Sequence, residues 1–275
     1  MAIIPTHTLN DGHKLPAIGL GTYDLRGDAG VASIVSALDA GYRLLDTALN
    51  YTNEREVGDA VRASSVDRAD IQVTTKLPGR HHGYDETLAS FEESRANLGL
   101  DYVDLYLIHW PLPRVNKYID SWRAMIRLRE EGLVRSIGVS NFTPEQVTRL
   151  LAETGVAPAV NQVELHPKFA QKELLAFDSS HGIITESWSP LGKGIASEPI
   201  IKEIAGNHGV TPSQTVLRWH VQRGAVPIPK SSDPERQREN IDVFAFELTD
   251  AEMRSIASLE SGRLWGADPD THEEF

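Results

Sequence analysis

The chain has 275 residues, 27 Lys and Arg against 39 Asp and Glu, a formal charge of −12 and no cysteine. That acidic balance excludes a general nucleic-acid binder, which needs a basic face to displace counterions. The missing thiols exclude disulfides, thiolate nucleophiles, cysteine-ligated zinc and iron–sulfur clusters. No stretch approaches the roughly 18 apolar residues of a membrane span. The opening MAIIPTHTLNDG has no basic region ahead of an apolar one, so a cytoplasmic protein without membrane contact is expected.

In chain order, Thr6 to Leu9 and Lys14 to Ala17 flank the turn residues Asn10-Asp11-Gly12 and predict a β-hairpin. Eight apolar runs follow: Ala17–Thr22, Tyr42–Thr47, Ile71–Leu77, Val103–Trp110, Val134–Ser140, Ala159–Leu165, Ile183–Ser189 and Ala225–Pro229. Most are near-continuous in Val, Ile and Leu, as strands covered on both faces should be. Amphipathic stretches such as Ser121–Glu131 and Val210–Arg223 lie between them and predict helices. Thr143-Pro144-Glu145-Gln146, Thr211-Pro212-Ser213-Gln214 and Thr249-Asp250-Ala251-Glu252 each read as a helix start with a capping box. Gly41, Gly132 and Gly155 stand where helices should stop.

This alternation predicts an α/β fold, a (β/α)8 TIM barrel with an N-terminal β-hairpin. The expected organisation is one barrel domain over 1–275, with the hairpin in 1–16 and a C-terminal tail over 261–275. A doubly wound sheet is the competing architecture. Its dinucleotide fingerprint needs a third glycine that Gly19-Leu20-Gly21-Thr22-Tyr23-Asp24 lacks.

Chemistry in such a barrel sits at the carboxyl ends of the strands. Those ends read Gly21-Thr22, Asp46, Lys76, His109, Ser140-Asn141, Gln162, Trp188-Ser189 and Lys230-Ser231. One polar residue at a strand end is uninformative; their recurrence along every run is the signal. Asp46, Lys76 and His109 end three consecutive strands, and Tyr51 lies just past Asp46. Lys76 should draw the Tyr51 phenol below its usual pKa of about 10. Asp46 can hold Lys76 protonated, and His109 can donate to an oxygen gaining negative charge. Together they make a proton donor for a carbonyl, with no metal required. The plain alternatives are a packed loop aromatic, a rim ion pair and a satisfied core histidine.

A second constellation runs through Pro229-Lys230-Ser231-Ser232-Asp233-Pro234 into a helix carrying Arg236 and Arg238. A Lys, hydroxyls, a helix start and two Arg converge there in an acidic chain, which suits a phosphate. A solvated basic helix face is the alternative reading.

These residues resemble the aldo-keto reductase superfamily over essentially the whole chain. The resemblance is carried by Gly41-Tyr42-Arg43-Leu44-Leu45-Asp46-Thr47-Ala48 through Tyr51, Asn53-Glu54 and Val57-Gly58. Arg135-Ser136-Ile137-Gly138-Val139-Ser140-Asn141-Phe142 carries it further, as does Ile228-Pro229-Lys230-Ser231 with Arg236, Glu239-Asn240 and Val243. Trp188, within Ser187-Trp188-Ser189-Pro190-Leu191-Gly192, resembles the bacterial branch that includes 2,5-diketo-gluconate reductases.

The resemblance implies a catalytic tetrad of Asp46, Tyr51, Lys76 and His109, with Tyr51 as general acid. It implies an NADPH cofactor across the barrel mouth, with NADH tolerated as the weaker partner. Gly21 and Thr22 would face that cofactor, and Ser140, Asn141 and Gln162 would hold its carboxamide. Trp188 would stack on the nicotinamide, and Ser189, Leu191 and Gly192 would line the pyrophosphate. Lys230, Ser231 and Arg236 would take the 2′-phosphate, with Glu239 and Asn240 at the base edge. Asp233 departs from the branch, where a basic residue is common, and acts against the phosphate unless it caps the helix.

Tyr23, Asn50 and Trp110 are the expected substrate walls. The expected partner is a small carbonyl compound: an aldehyde, a dicarbonyl or a keto-sugar acid. A monomer without nucleic acid, membrane or metal is expected. The acidic tail either folds over the mouth or stays mobile. Two other functions fit parts of the pattern: a Schiff-base lyase using Lys76, and a nicotinamide-binding sensor with negligible turnover. A metal hydrolase finds only the isolated His81-His82 and His166.

Overall fold

The computed structural model describes residues 4–274. Met1 to Ile3 and Phe275, at the outer ends of the expected hairpin segment and tail, lie outside the described residues. Strands β1 (Thr6–Thr8) and β2 (Lys14–Pro16) pair antiparallel, with Thr6 opposite Pro16 and Thr8 opposite Lys14. This is the hairpin expected from the Asn-Asp-Gly turn.

Eight parallel strands follow in one sheet: β3 (Leu20–Gly21), β4 (Leu44–Asp46), β5 (Gln72–Leu77), β6 (Val103–Ile108), β7 (Val134–Ser140), β8 (Val160–Glu164), β9 (Ile184–Trp188) and β10 (Val226–Pro227). Each pairs with its sequence neighbour. The sheet closes on itself, because Gly19 N and Gly21 N donate to Pro227 O and Pro229 O at 3.1 and 3.0 Å. Closure removes the open edges that an unpaired sheet would present.

The barrel interior is filled in layers drawn from alternate strands, as this fold requires. Leu44 of β4, Leu105 and Leu107 of β6, Val160 of β8 and Val226 of β10 pack together, with Leu9 and Leu15 of the hairpin segment against them. The hairpin therefore covers the amino end of the barrel and leaves the carboxyl end open. Gly138 of β7 is needed for space: a Cβ there would lie 2.6 Å from Leu107 and 2.7 Å from the Val160 carbonyl.

The outer layer comprises α1 (Gly27–Ala40), α2 (Glu54–Ala63), α3 (Tyr84–Leu98), α4 (Tyr118–Glu130), α5 (Pro144–Thr154), α6 (Lys172–Ser180), α7 (Pro199–His208), α8 (Pro212–Gln222), α9 (Pro234–Ile241) and α10 (Asp250–Ala257). The three predicted capping boxes form at Thr143–Gln146, Thr211–Gln214 and Thr249–Glu252. Each box satisfies two N–H groups that the first helical turn leaves free. Gly41 and Gly155 end α1 and α5 in the left-handed region. Phe91 of α3 and Trp122 of α4 are fully buried against the barrel wall; burying a side chain of Phe size contributes about 1.5–3 kcal/mol. Among the described residues no helix is long and apolar enough to cross a membrane.

Candidate active site

The carboxyl ends of β4, β5 and β6 deliver three side chains to one place. Asp46 is the last residue of β4 and Lys76 lies near the end of β5. His109 follows β6 directly, its N–H donating to Leu77 O at 3.1 Å. Tyr51 closes a single helical turn, Leu49–Tyr51, above β4. Lys76 is wholly buried, and its Nζ donates to Asp46 Oδ1 at 2.6 Å and Thr47 O at 2.9 Å. Tyr51 Oη lies 3.5 Å from the same Nζ. The Tyr51 and His109 rings meet edge to face, with centroids 6.0 Å apart.

Burial and charge compete at these groups. Burial pushes the Tyr51 phenol above its ordinary pKa; Lys76 pulls it back, while Asp46 and Glu274 raise it again. The expectation from sequence was a net fall. Lys76 does act in that direction, but desolvation outweighs it, so the phenol keeps its proton at neutral pH. Burial alone would neutralise Lys76, yet Asp46 and Tyr51 outweigh it and raise its pKa. The ammonium is held charged, which opposes the neutral amine that a Schiff-base lyase needs.

Gln162 of β8 ties this cluster to a second buried acid. Its Nε2 donates to Asp46 Oδ2 at 2.8 Å and to Glu186 Oε2 at 2.7 Å. Burial, then Asp46, push Glu186 up to about 8, so it is mostly protonated at neutral pH. Two carboxylates this close in a desolvated site are not both ionised.

A cavity of about 470 Å3 opens above the cluster, lined by Tyr51, His109, Trp110, Ser140, Asn141, Gln162, Trp188, Ser189, Leu191, Gly192, Lys230 and others. Asn141 Nδ2 donates to His109 O and Ser140 Oγ, and Trp188 Nε1 donates to Asn141 Oδ1, at 2.8–3.0 Å. These bonds lock the Trp188 indole on the wall. Asn141 and Ser189, at strand ends, adopt left-handed φ values of 63° and 49°. Such conformations strain a non-glycine residue and are found at functional sites. Gly21 and Tyr23 also line the cavity. Thr22 does not; it is buried, with its hydroxyl spent on Asp46 O at 2.8 Å.

Past β10, Lys230 and Arg236 are exposed, and neither is in an ion pair among the described residues. Asp233 caps α9, accepting from Glu235 N at 2.8 Å and Arg236 N at 3.3 Å. Its carboxylate is thereby turned to its own helix. The Ser231 hydroxyl bridges to Asp233 N at 3.1 Å. Glu239 is exposed and Asn240 buried on the same helix.

The segment from Ser261 folds over the mouth. Trp265 meets Trp188 edge to face at 5.7 Å, and His272 lies 4.3 Å from Trp110. Asn50 is spent on this segment: its Nδ2 donates to Glu274 Oε1 at 2.7 Å.

Residues 17–261 match the Aldo/keto reductase family. The chain is 60% identical to 2,5-diketo-D-gluconic acid reductase B of Corynebacterium sp. (strain SHS752001) over all of both chains. It is 44% identical to methylglyoxal reductase DkgA of Escherichia coli K12, covering 95% of this chain and 96% of that one. The chain belongs to the aldo/keto reductase family. The solved structure of a Gox0644 mutant in complex with NADPH superposes on this aldo/keto reductase with a TM-score of 0.94, at 44% identity over 98% of this chain and 99% of that one.

Sequence reasoning passed over several residues of the aldo/keto reductase mouth. Glu186 left a signal: a carboxylate in an otherwise buried strand, two positions before Trp188 and so on the same face of β9. Trp265, His272 and Glu274 left none beyond their place in the tail.

Proposed function

We propose that this protein is an NADPH-dependent oxidoreductase that reduces aldehyde and ketone carbonyls to alcohols, with Tyr51 as the general acid. The observation that carries this reading is the Tyr51 hydroxyl 3.5 Å from the buried Lys76 Nζ, at a cavity that Trp188 also lines.

The residues present fit the cofactor. A carboxamide presents an NH2; both amide hydrogens of Gln162 are used on Asp46 and Glu186, which fixes the amide's orientation, and its Oε1 accepts no hydrogen bond among the described residues. The hydrogen-bonded Trp188 indole offers a flat face for a ring, and Lys230 and Arg236 offer exposed cations for a 2′-phosphate. The capping role of Asp233 supports a preference for NADPH over NADH. Held there, the reduced nicotinamide would supply a hydride to the carbonyl carbon.

The chain's own groups supply the rest. As the C=O electron pair moves to oxygen, His109 can donate to that oxygen and Tyr51 passes it the Oη proton. Lys76 stabilises the phenolate left behind, and Asp46 keeps Lys76 charged and fixed. The bonds would balance: the C=O π bond, a C–H of the reduced nicotinamide and the Tyr51 O–H are lost, while one C–H and one O–H form on the alcohol and the nicotinamide is left oxidised. Tyr23 stands 61% exposed, edge to face with Tyr51 at 5.2 Å, and Trp110 lines the same cavity. Small dicarbonyls and keto-sugar acids are the substrate class suggested by the two relatives named above. A cytoplasmic monomer completes the proposal.

The test is loss of reduced-nicotinamide absorbance with methylglyoxal, aromatic aldehydes and a keto-sugar acid, using NADPH and NADH in turn. Turnover faster with NADPH supports the reading. Binding of NADPH without turnover on any of them would instead favour the sensor.

A further inference from the structure

Two strands of the site meet at a buried acid. β8 and β9 pair with Gln162 opposite Glu186, and such neighbours present their side chains to the same face of the sheet. Gln162 reaches Asp46 of β4 from there, so this face is the barrel interior. Glu186 is fully buried and Gln162 only 2% exposed. An apolar side chain would fill this layer at lower cost, because burying a carboxyl is unfavourable unless it is bonded. Glu186 Oε1 has no partner among the described residues. Packing and stability therefore do not account for the acid.

Its one bond is to Gln162. The Nε2 of Gln162 donates to Asp46 Oδ2 at 2.8 Å and to Glu186 Oε2 at 2.7 Å. A single such bond would leave the amide free to swing about it; two, one on each hydrogen, fix its plane. The reversed amide would turn its oxygen toward the Asp46 carboxylate, so charge selects this orientation. Burial and Asp46 push Glu186 up to about 8, so at neutral pH it accepts the bond as a neutral acid and adds no second charge beside Asp46.

Oε1 is then the atom Gln162 has left, on a residue that lines the cavity. The other two side chains expected at the carboxamide are already committed. Ser140 Oγ donates to Gln162 O and accepts from Asn141 Nδ2, and Asn141 Oδ1 accepts from Trp188 Nε1.

We propose that Glu186 is a positioning residue for the cofactor: by accepting the second amide hydrogen of Gln162, it holds Gln162 Oε1 ready for the carboxamide NH2 of a nicotinamide. This rests on the reading of the cavity as the nicotinamide site. Glu186 acts through Gln162 and meets no reacting atom.

Glu186→Met removes the acceptor at similar length, Glu186→Asp withdraws it by one methylene, and Glu186→Gln keeps a carbonyl in its place. The probes are NADP+ and its 3-acetylpyridine analogue, whose acetyl group replaces the carboxamide and has no N–H. Their dissociation constants, titrated by tryptophan quenching, give the preference for NADP+. That preference should fall about fivefold in Glu186→Met, within the range of one neutral hydrogen bond. Glu186→Asp should move it in the same direction, and Glu186→Gln should stay within about twofold of wild type. A merely structural acid would weaken both ligands equally and leave the ratio unmoved. An unmoved ratio in Glu186→Met overturns the proposal; if that variant does not fold, Glu186→Asp decides in its place. An equal fall in Glu186→Gln overturns it too. The expected ratios without turnover of any carbonyl would sink the proposed reduction and uphold the role of Glu186. A wild-type protein that does not bind NADP+ would overturn both.

Discussion

Lys76→Met is the perturbation whose cost can be worked most directly from the structure. Lys76 is fully buried, and it neutralises Asp46, whose side chain is 5% exposed, across 2.6 Å. Met fills similar volume but leaves a carboxylate with no counter-charge, beside the second acid at Glu186. Removing one partner of a buried ion pair costs about 3–5 kcal/mol, because the remaining charge stays desolvated. At roughly 2–4 °C per kcal/mol for a chain of this size, the melting midpoint should fall by about 6–20 °C. Adding Asp46→Asn to Lys76→Met should recover part of that loss, since the unpaired charge is gone. Thermal and urea unfolding followed by tryptophan fluorescence measure both. A midpoint within about 2 °C of wild type, or a double variant less stable than Lys76→Met alone, would refute the assignment of Lys76 as the counter-ion of Asp46.

Glu186 is raised from 4.5 to about 8 by burial, so the folded state holds a proton that the unfolded state releases between those values. Stability contributed by this group therefore falls as pH rises from about 4.5 to 8, with a limiting slope of ~1.4 kcal/mol per pH unit. Glu186→Gln should gain stability relative to wild type between pH 5 and 8, and parallel stability–pH curves would show the pKa assignment to be wrong. Lys230→Ala removes an exposed cation that has no ion-pair partner among the described residues; the KM for NADPH should rise about tenfold more than that for NADH. An equal rise for both cofactors would detach Lys230 from the 2′-phosphate.

Much of the architecture could be read from local chemistry. The Thr-Pro-x-Gln and Thr-Asp-x-Glu starts form the boxes they spell, because capping depends on residues only three apart. Asp46, Lys76 and His109 could be brought together because parallel neighbours in a barrel must align their carboxyl ends. What escaped depended on distant contacts or on a balance of opposing effects. The contact of Glu274 with Gly79 joins residues 195 apart, in a tail without hydrophobic periodicity. The missing side chain that admits Glu274 is on Gly79, where Pro78-Gly79 signals a turn but not which distant segment the turn receives. The direction of the Tyr51 shift depends on burial exceeding the pull of Lys76, and burial is a property of the assembled mouth. Asp233 was ambiguous until its carboxylate was seen turned to the α9 N–H groups.

Tyr51→Phe tests the central claim most directly, because it deletes one hydroxyl and leaves the ring packed against Tyr23 and His109. NADPH consumption with methylglyoxal should fall by about 10²–10⁴-fold, the span attributed to a positioned general acid. NADPH affinity, titrated in parallel by tryptophan quenching, should change less than about twofold, since the lost hydroxyl serves the reacting oxygen alone. A Tyr51→Phe enzyme that keeps more than about a tenth of wild-type turnover would contradict the role of Tyr51 as proton donor.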